Sequence, residues 1–149
     1  MSNQSNQSNP STPGNRGDDV THTLARYPET LAAVRLPAGA EIPEWAESSS
    51  VFSITATATE TSLVCAGRSV PKKVRHEKPL TAFEVVGPLD FGVAGVLVAL
   101  LGPLADEGMS VFPLSTYDTF WILVRTADAD RAEETWRRSG HTVAPAVPA

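Results

Sequence analysis

Residues 81–125 read TAFEVVGPLDFGVAGVLVALLGPLADEGMSVFPLSTYDTFWILVR. In the middle of this stretch, residues 93–104 carry apolar side chains that recur at every third or fourth position, which predicts one buried face of an α-helix. Asp90 stands just ahead of that face, where a capping side chain is expected, and Gly108 stands just after it, where a glycine commonly ends a helix. The centre of the stretch therefore predicts a long helix.

The segments on both sides of that helix have the composition of β-strands. Residues 81–86, 109–116 and 119–125 are rich in β-branched and other apolar side chains, which favour strands. Pro113 cannot donate a hydrogen bond to a neighbouring strand, so we expect the segment around it to lie at the edge of a sheet. Residues 119–125 are apolar on both faces, which predicts an interior strand.

The chain after this stretch completes a known order of elements. Residues 128–139 place Ala129, Ala132 and Trp136 on one side of a second predicted helix, and residues 141–144 form a last short strand. The order β-α-β-β-α-β is that of the split βαβ or ferredoxin-like fold, an α+β fold with an antiparallel sheet. In its usual strand order, 4-1-3-2, the second strand is an edge and the third is interior, in agreement with both expectations above.

The first half of the chain predicts a shorter set of elements. Residues 31–36, 51–57 and 61–66 have the composition of strands, and residues 41–47 suggest a short helix with Pro43 in its first turn. The resulting order, β-α-β-β, lacks a second helix. The first half therefore looks like a reduced copy of the second, which either borrows an element from the second half or does without it.

The two ends and the middle of the chain are polar. Residues 1–23 contain almost no apolar side chains, so we expect a disordered tail rather than a signal peptide, and residues 144–149 are expected to fray. Residues 68–79 hold five basic side chains and two prolines. We interpret this segment as a solvated connector, with an anion-binding patch as the alternative.

The composition excludes several classes of partner. The chain has 149 residues with 17 acidic and 12 basic side chains and a net charge of −5, so we expect no nucleic-acid partner, which would need surplus Lys and Arg. Its single cysteine excludes an internal disulfide and a multi-cysteine metal site. The most apolar run, residues 91–105, is too short to cross a membrane, which needs ~20 residues. We therefore expect a cytoplasmic protein without a membrane partner.

The sequence contains no pattern that is typical of an enzyme. Neither a phosphate-binding glycine loop, nor a nucleophile elbow, nor a zinc-protease helix occurs. The three histidines lie far apart in the sequence, and we expect His141 at the surface. We therefore predict no catalytic residue, no metal and no cofactor.

Three motifs of the second half resemble those of ACT domains: GPLDFG at residues 87–92, the helix ending LLGPLADEGMSVF at residues 100–112, and LSTYDT at residues 114–119. The resemblance is greatest to the bacterial ACT proteins related to the CASTOR arginine sensors. VRLPAGAEIPEW and the FSIT and SLVC strands of the first half are also similar, so the resemblance covers residues 27–143. It implies a reduced ACT-like half at residues 24–67, the basic connector at 68–79, and an ACT domain at 80–143.

The resemblance also implies a function. ACT domains are βαββαβ modules that bind amino acids or similar small metabolites, and they usually pair side by side into one continuous sheet with the helices on one face. The chain would then be a regulatory module without catalysis, in which a ligand captured between modules favours one assembly state. A homodimer is expected, with pairing of the two halves inside a monomer as the alternative.

The candidate site lies where the long helix begins. The first turn of a helix has free backbone N–H groups and a partial positive charge, so a carboxylate can bind there without Lys or Arg. Small residues let a ligand approach the backbone closely, although they would equally permit close helix packing. The resemblance implies a second contribution from the end of the edge strand. The predicted ligand-binding residues are Asp90, Gly92, Val93, Ala94, Gly95, Leu114, Ser115 and Thr116.

Phe120 complicates the binding of an ordinary amino acid. Similar proteins tend to have an acidic residue at this position, directly after the turn threonine. If Phe120 faces the site, the ammonium group of a ligand loses a charged partner, and we expect weak binding that Phe120→Asp would strengthen. If Phe120 instead follows the alternation of Ile122 and Val124, it joins the core. Asp90 or Asp118 would then supply the charge, or the ligand is not an amino acid.

Two classes of function remain open from the sequence. The leading hypothesis is a regulatory module that binds an amino acid or related metabolite. The alternative is an interaction module without a ligand, which pairs with itself or with a partner protein through the edges of its sheet. A small enzyme of ferredoxin-like fold is a third reading.

Overall fold

The computed structural model describes residues 21–87 and 95–147. These residues form seven strands and two α-helices: β1 (Thr23–Pro37), β2 (Ser53–Ala56), β3 (Glu60–Ala66), β4 (His76–Val85), α1 (Val96–Asp106), β5 (Val111–Ser115), β6 (Phe120–Arg125), α2 (Ala129–Arg138) and β7 (Thr142–Pro145). Neither helix is long and apolar enough to cross a membrane. Most of the expected disordered tail lies outside the described residues, and its last residue, Thr23, already belongs to β1.

The strands form one sheet in the order β2-β3-β1-β4-β6-β5, with β7 beside β1. The pairs along that order are antiparallel, whereas β7 runs parallel to β1. β5, which contains Pro113, lies at an edge, and β6 is buried from Trp121 to Val124 in the interior. The α+β ferredoxin-type class and these two strand positions are therefore confirmed.

The position of β7 differs from the prediction. In the ferredoxin-like order the last strand would lie beside β4, but β7 pairs with residues 23–26 of β1. The same part of β1 pairs with β4 on its other side, so it lies between β4 and β7. The first half of the chain thus lends a strand to the second half, which is the reverse of the predicted borrowing.

The N-terminal part of β1 has no clear strand pattern in the sequence. β1 has 15 residues, whereas the sequence predicts a strand only over residues 31–36. Pro28 and its charged neighbours interrupt the expected pattern. The register between β1 and β4 shifts between Arg26 and Thr30, and a proline is tolerated where such an irregularity opens the ladder of hydrogen bonds.

The short helix predicted for residues 41–47 does not form. The backbone N–H of Ala46 donates to the carbonyl of Pro43 at 3.1 Å, which closes a single turn. The carbonyl of Glu47 accepts the N–H of Ala66 from β3 at 2.6 Å. Because a helix of about two turns is only marginally stable by itself, these tertiary contacts decide the conformation of the segment.

Both helices pack on the same face of the sheet, as predicted. They bury apolar side chains against alternate residues of β1, β4, β6 and β7. In α2, Ala129, Ala132 and Trp136 are fully buried. The indole N–H of Trp136 donates to the carbonyl of Leu100 in α1 at 2.8 Å. The ring of Trp136 packs edge-on against that of Phe83 in β4, with the ring centroids 4.9 Å apart. Trp136 therefore links both helices to the sheet.

The opposite face of the sheet is concave. β3 and β5 are separated by three strands, which would place them ~19 Å apart in a flat sheet. Val64 of β3 and Leu114 of β5 nevertheless belong to one apolar cluster with Trp121 and Leu123. The sheet is therefore curled, and its two ends approach each other across the face that carries no helix.

Candidate functional site

The predicted ligand-binding residues fall into two sets. Outside the described residues lie Asp90, Gly92, Val93 and Ala94. Within the described residues lie Gly95, Leu114, Ser115 and Thr116. The described part of the predicted site therefore consists of the start of α1 and the end of β5.

The helix α1 begins directly after Gly95, which adopts a left-handed conformation with a φ of +86°. A residue with a side chain would be strained there by about 1–2 kcal/mol, which accounts for the glycine. The carbonyl of Gly95 accepts the N–H of Ala99 at 2.9 Å. In the described residues no side chain caps α1 and its first turn has no acidic residue. Backbone N–H groups in the first turn of a helix can donate hydrogen bonds to a carboxylate.

The end of β5 directs two predicted site residues to opposite faces of the sheet. Ser115 pairs with Phe120 and Leu114 pairs with Trp121, and residues that pair across antiparallel strands share a face. Phe120 packs against the cluster beneath the helices, whereas Leu114 joins the cluster on the concave face. Ser115 is thus on the same face as α1, and Leu114 is not.

The turn between β5 and β6 uses the hydroxyl group of Thr116. The N–H of Thr116 donates to the carbonyl of Thr119 at 2.8 Å, and the N–H of Thr119 donates to Oγ1 of Thr116 at 3.1 Å. The buried hydroxyl of Thr119 donates in turn to the carbonyl of Val85 at the end of β4. Thr116 therefore shapes the turn, and Thr119, which the sequence did not single out, fastens that turn to β4.

Phe120 follows the alternation of its strand. Its side chain is partly buried and packs against the same cluster as Ile122 and Val124. Phe120 therefore packs against the core, on the same face of the sheet as Ser115. We expect Phe120→Asp to lower stability rather than to strengthen ligand binding, because it would place a carboxylate against apolar side chains.

Two histidines meet beside α1, and the expectation of an exposed His141 is wrong. The backbone N–H of His22 donates to Nδ1 of His141 at 3.0 Å, and the rings stack with centroids 5.6 Å apart. Burial lowers the pKa of His141, His22 lowers it further, and a backbone hydrogen bond at Ala99 opposes the shift. His141 is thus held neutral with Nδ1 as an acceptor.

The described residues contain no group of three or more side chains placed to hold a metal ion.

Two family models match the chain over neighbouring segments. Residues 75–137 match the ACT domain, and residues 29–73 match a model described as an N-terminal domain. The first match includes β4, α1, β5, β6 and most of α2. The chain matches none of the curated proteins.

Solved structures share the fold. A crystal structure of a protein from Agobacterium tumefaciens is 29% identical, has a TM-score of 0.80, and the match covers 87% of this chain and 96% of that one. Aspartate kinase from Synechocystis is 13% identical with a TM-score of 0.61, over 91% of this chain and 29% of the kinase. Aspartokinase III from E. coli, in complex with aspartate and ADP, is 13% identical with a TM-score of 0.59, over 78% of this chain and 33% of the kinase.

The kinases show a common fold and nothing more, because identities this low carry no functional detail and this chain spans only a third of their length or less. The structure from Agobacterium tumefaciens matches nearly the whole of both chains. The family match and the arrangement of β4, α1, β5, β6 and α2 agree with each other. Residues 75–137 of this chain match the ACT domain, and they lie within an α+β sheet that the first half of the chain extends.

Proposed function

We propose that this chain is a regulatory module that binds a small molecule, an amino acid or a related metabolite, and has no catalytic activity of its own. The observation that carries the proposal is the ACT-domain match over residues 75–137. The start of α1 supports it, because the described residues leave that helix without a capping side chain. E. coli aspartokinase III, which shares the fold, was solved with bound aspartate and ADP, so aspartate is a suitable first probe.

The proposed site combines the predicted residues that share the helix face. The carboxylate of the ligand binds the backbone N–H groups at the start of α1, near Gly95, and Ser115 offers a hydroxyl group on the same face. Thr116 acts by shaping the turn that follows. Asp90, Gly92, Val93 and Ala94 remain part of the proposed site because of their place before the predicted helix and the family resemblance.

The proposed assembly is a cytoplasmic homodimer in which ligand binding favours one arrangement of the subunits. β2 and β5 form the ends of the strand order, and such edges commonly pair with another chain. We further propose that the chain belongs to the bacterial ACT proteins related to the CASTOR arginine sensors, with a reduced ACT-like half at residues 24–67 and a connector at 68–79.

A module that pairs with other proteins without a ligand is the second candidate function. Phe52 and Ile54, just before and within the edge strand β2, are 43% and 47% exposed. Exposed apolar side chains beside a strand edge favour association with another chain. Under this alternative the edge strand, and not the start of α1, carries the function.

A thermal-shift screen with the proteinogenic amino acids and common nucleotides separates the two candidates. A ligand that binds the folded state stabilises it by about 2.7 kcal/mol at a hundredfold excess over its Kd. We expect at least one amino acid to raise the Tm, and Gly95→Val or Ser115→Ala to reduce that rise. Gly108→Val and Ser110→Ala are matched controls, because Gly108 has a similar left-handed φ of +77° with open space around it, and Ser110 is exposed. Self-association without any stabilising ligand would favour the alternative.

A further inference from the structure

Two clefts on the concave face of the sheet share lining residues, and together they form what we call the concave groove. One cleft, of about 280 Å³, lies between β1, β3, the start of β4 and Phe112 of β5. The other, of about 270 Å³, lies between β2, β3 and β5. Both clefts are lined by Glu60, Ser62 and Phe112. The groove therefore continues from the start of β4 to the two edge strands.

Charged side chains of both signs line the first cleft. Arg35 of β1 and Glu60 of β3 are 4.0 Å apart from nitrogen to oxygen, and their side chains are 43% and 41% exposed. Arg75 and Glu77, at the start of β4, add a second cation and a second anion. An ion pair this long and this exposed contributes little to stability. Arg35 and Glu60 can therefore separate, and each can pair with the oppositely charged group of a ligand.

The second cleft has one apolar wall and one polar wall. Phe112 and Leu114 of β5 are half-buried and pack against the cluster of the concave face. On β2 and β3, the cleft is lined by Ser53, Thr55 and Ser62, whose side chains are hydroxyl-bearing. Binding sites for small molecules commonly combine apolar area with a few polar groups that fix the orientation of the ligand.

We propose that the concave groove binds a small zwitterion that carries an apolar group. The carboxylate of the ligand pairs with Arg35 and Arg75, its ammonium group pairs with Glu60 and Glu77, and its apolar group lies on Phe112. Charges of both signs in one cleft select a molecule that carries both, since either charge alone would leave like charges of the protein beside it.

This site goes beyond the proposed function, because it lies on the face of the sheet opposite the helices. The start of α1 offers backbone N–H groups, which recognise only an anion, whereas the groove offers side chains of both signs. Leu114, which the sequence assigned to the α1 site, faces this groove instead.

The test uses the whole chain and calorimetry with L-phenylalanine and L-leucine as probes. N-acetyl-L-phenylalanine, which lacks the ammonium group, and L-phenylalaninamide, which lacks the carboxylate, are the matched ligands. We expect each blocked ligand to bind about tenfold more weakly or worse, because each loses a charge-assisted contact. Arg35→Gln and Glu60→Gln should weaken binding of L-phenylalanine to a similar extent. Lys73→Gln and Glu44→Gln are the charge-matched controls, because both residues are exposed and neither lines the groove.

Three outcomes would overturn the groove site. The first is that neither amino acid binds at millimolar concentration, and the second is that the blocked ligands bind as well as L-phenylalanine. The third is that Gly95→Val abolishes binding while Arg35→Gln leaves it unchanged, which would place the probe at α1 and support the proposed function alone. Binding that survives Gly95→Val and is lost in Arg35→Gln supports the groove. The thermal-shift screen then tests the function proposed for α1 separately.

Discussion

The carboxylate of Glu29 shows how one side chain holds together distant parts of the first half. It accepts hydrogen bonds from the hydroxyl groups of Ser48 and Ser50, from the backbone N–H groups of Ser49 and Ser50, and from the guanidinium group of Arg68. Its side chain is only 7% exposed. Burial by itself disfavours the charged form, but these donors outweigh it and lower the pKa of Glu29 to about 2.

Glu29 makes the fold sensitive to acid in a defined range. Because its pKa is depressed in the folded state, its contribution is complete above about pH 4.5 and is lost as the pH falls towards 2. A shift of this size corresponds to a contribution on the order of 3 kcal/mol. We expect Glu29→Gln to lower the free energy of unfolding at pH 7 and to flatten its dependence on pH below 4.5. Urea unfolding at a series of pH values measures both effects. An unchanged pH profile would contradict this role, and Glu44→Gln, at an exposed carboxylate, is the control.

His141 predicts a second, separate pH range. Its folded-state pKa lies below the ordinary value of 6.5, so the neutral form stabilises the fold, and this contribution declines as the pH falls below about 6.5. His141→Asn should remove that decline, because an Asn oxygen can still accept the N–H of His22 but does not titrate. Unfolding measured between pH 7 and pH 5 is the test. A decline of the same size in His141→Asn would assign the effect to another group.

At the scale of elements, the parts that follow a local pattern could be predicted and the parts that depend on distant partners could not. The spacing of Leu100 and Leu104 and the glycine at position 108 predict α1 without knowledge of the rest of the fold. The N-terminal part of β1 lies between β4 and β7, and Pro28 interrupts its strand pattern in the sequence. Gly95 of the candidate site could be predicted from local composition. The contact between His22 and His141 beside α1 could not, because 119 positions separate the two residues.

Leu24 tests the part of β1 that the sequence did not predict. Its side chain is fully buried and joins the cluster that also holds Trp136 and Val143. We expect Leu24→Ala to lower the free energy of unfolding by about 2–4 kcal/mol, through lost burial and the cavity left behind. Leu36→Ala, at a half-buried position near the other end of β1, should cost less. Equal losses in the two variants would show that the N-terminal part of β1 contributes no more to the core than the other end of the strand.

At the scale of the whole molecule, the curl of the sheet produces two faces with different chemistry. The helix face holds the start of α1 and Ser115, and the concave face holds the charged groove. The sequence predicts the first site because its residues lie at the ends of predicted elements. The groove depends on strands that meet only when the sheet curls, so no local pattern reveals it. The two proposed sites therefore differ in the face of the sheet that a ligand would occupy.

An NMR titration of the isotope-labelled chain tests whether an amino acid binds at the start of α1. Aspartate and any amino acid that raises the Tm are added stepwise while the backbone amide signals are recorded. Binding at the start of α1 should produce saturable shifts of the amides of Gly95, Val96 and Leu97, together with that of Ser115, and these shifts should be lost in Gly95→Val. Saturable binding that leaves these amides unmoved, or the absence of any shift with every amino acid tested, would contradict it.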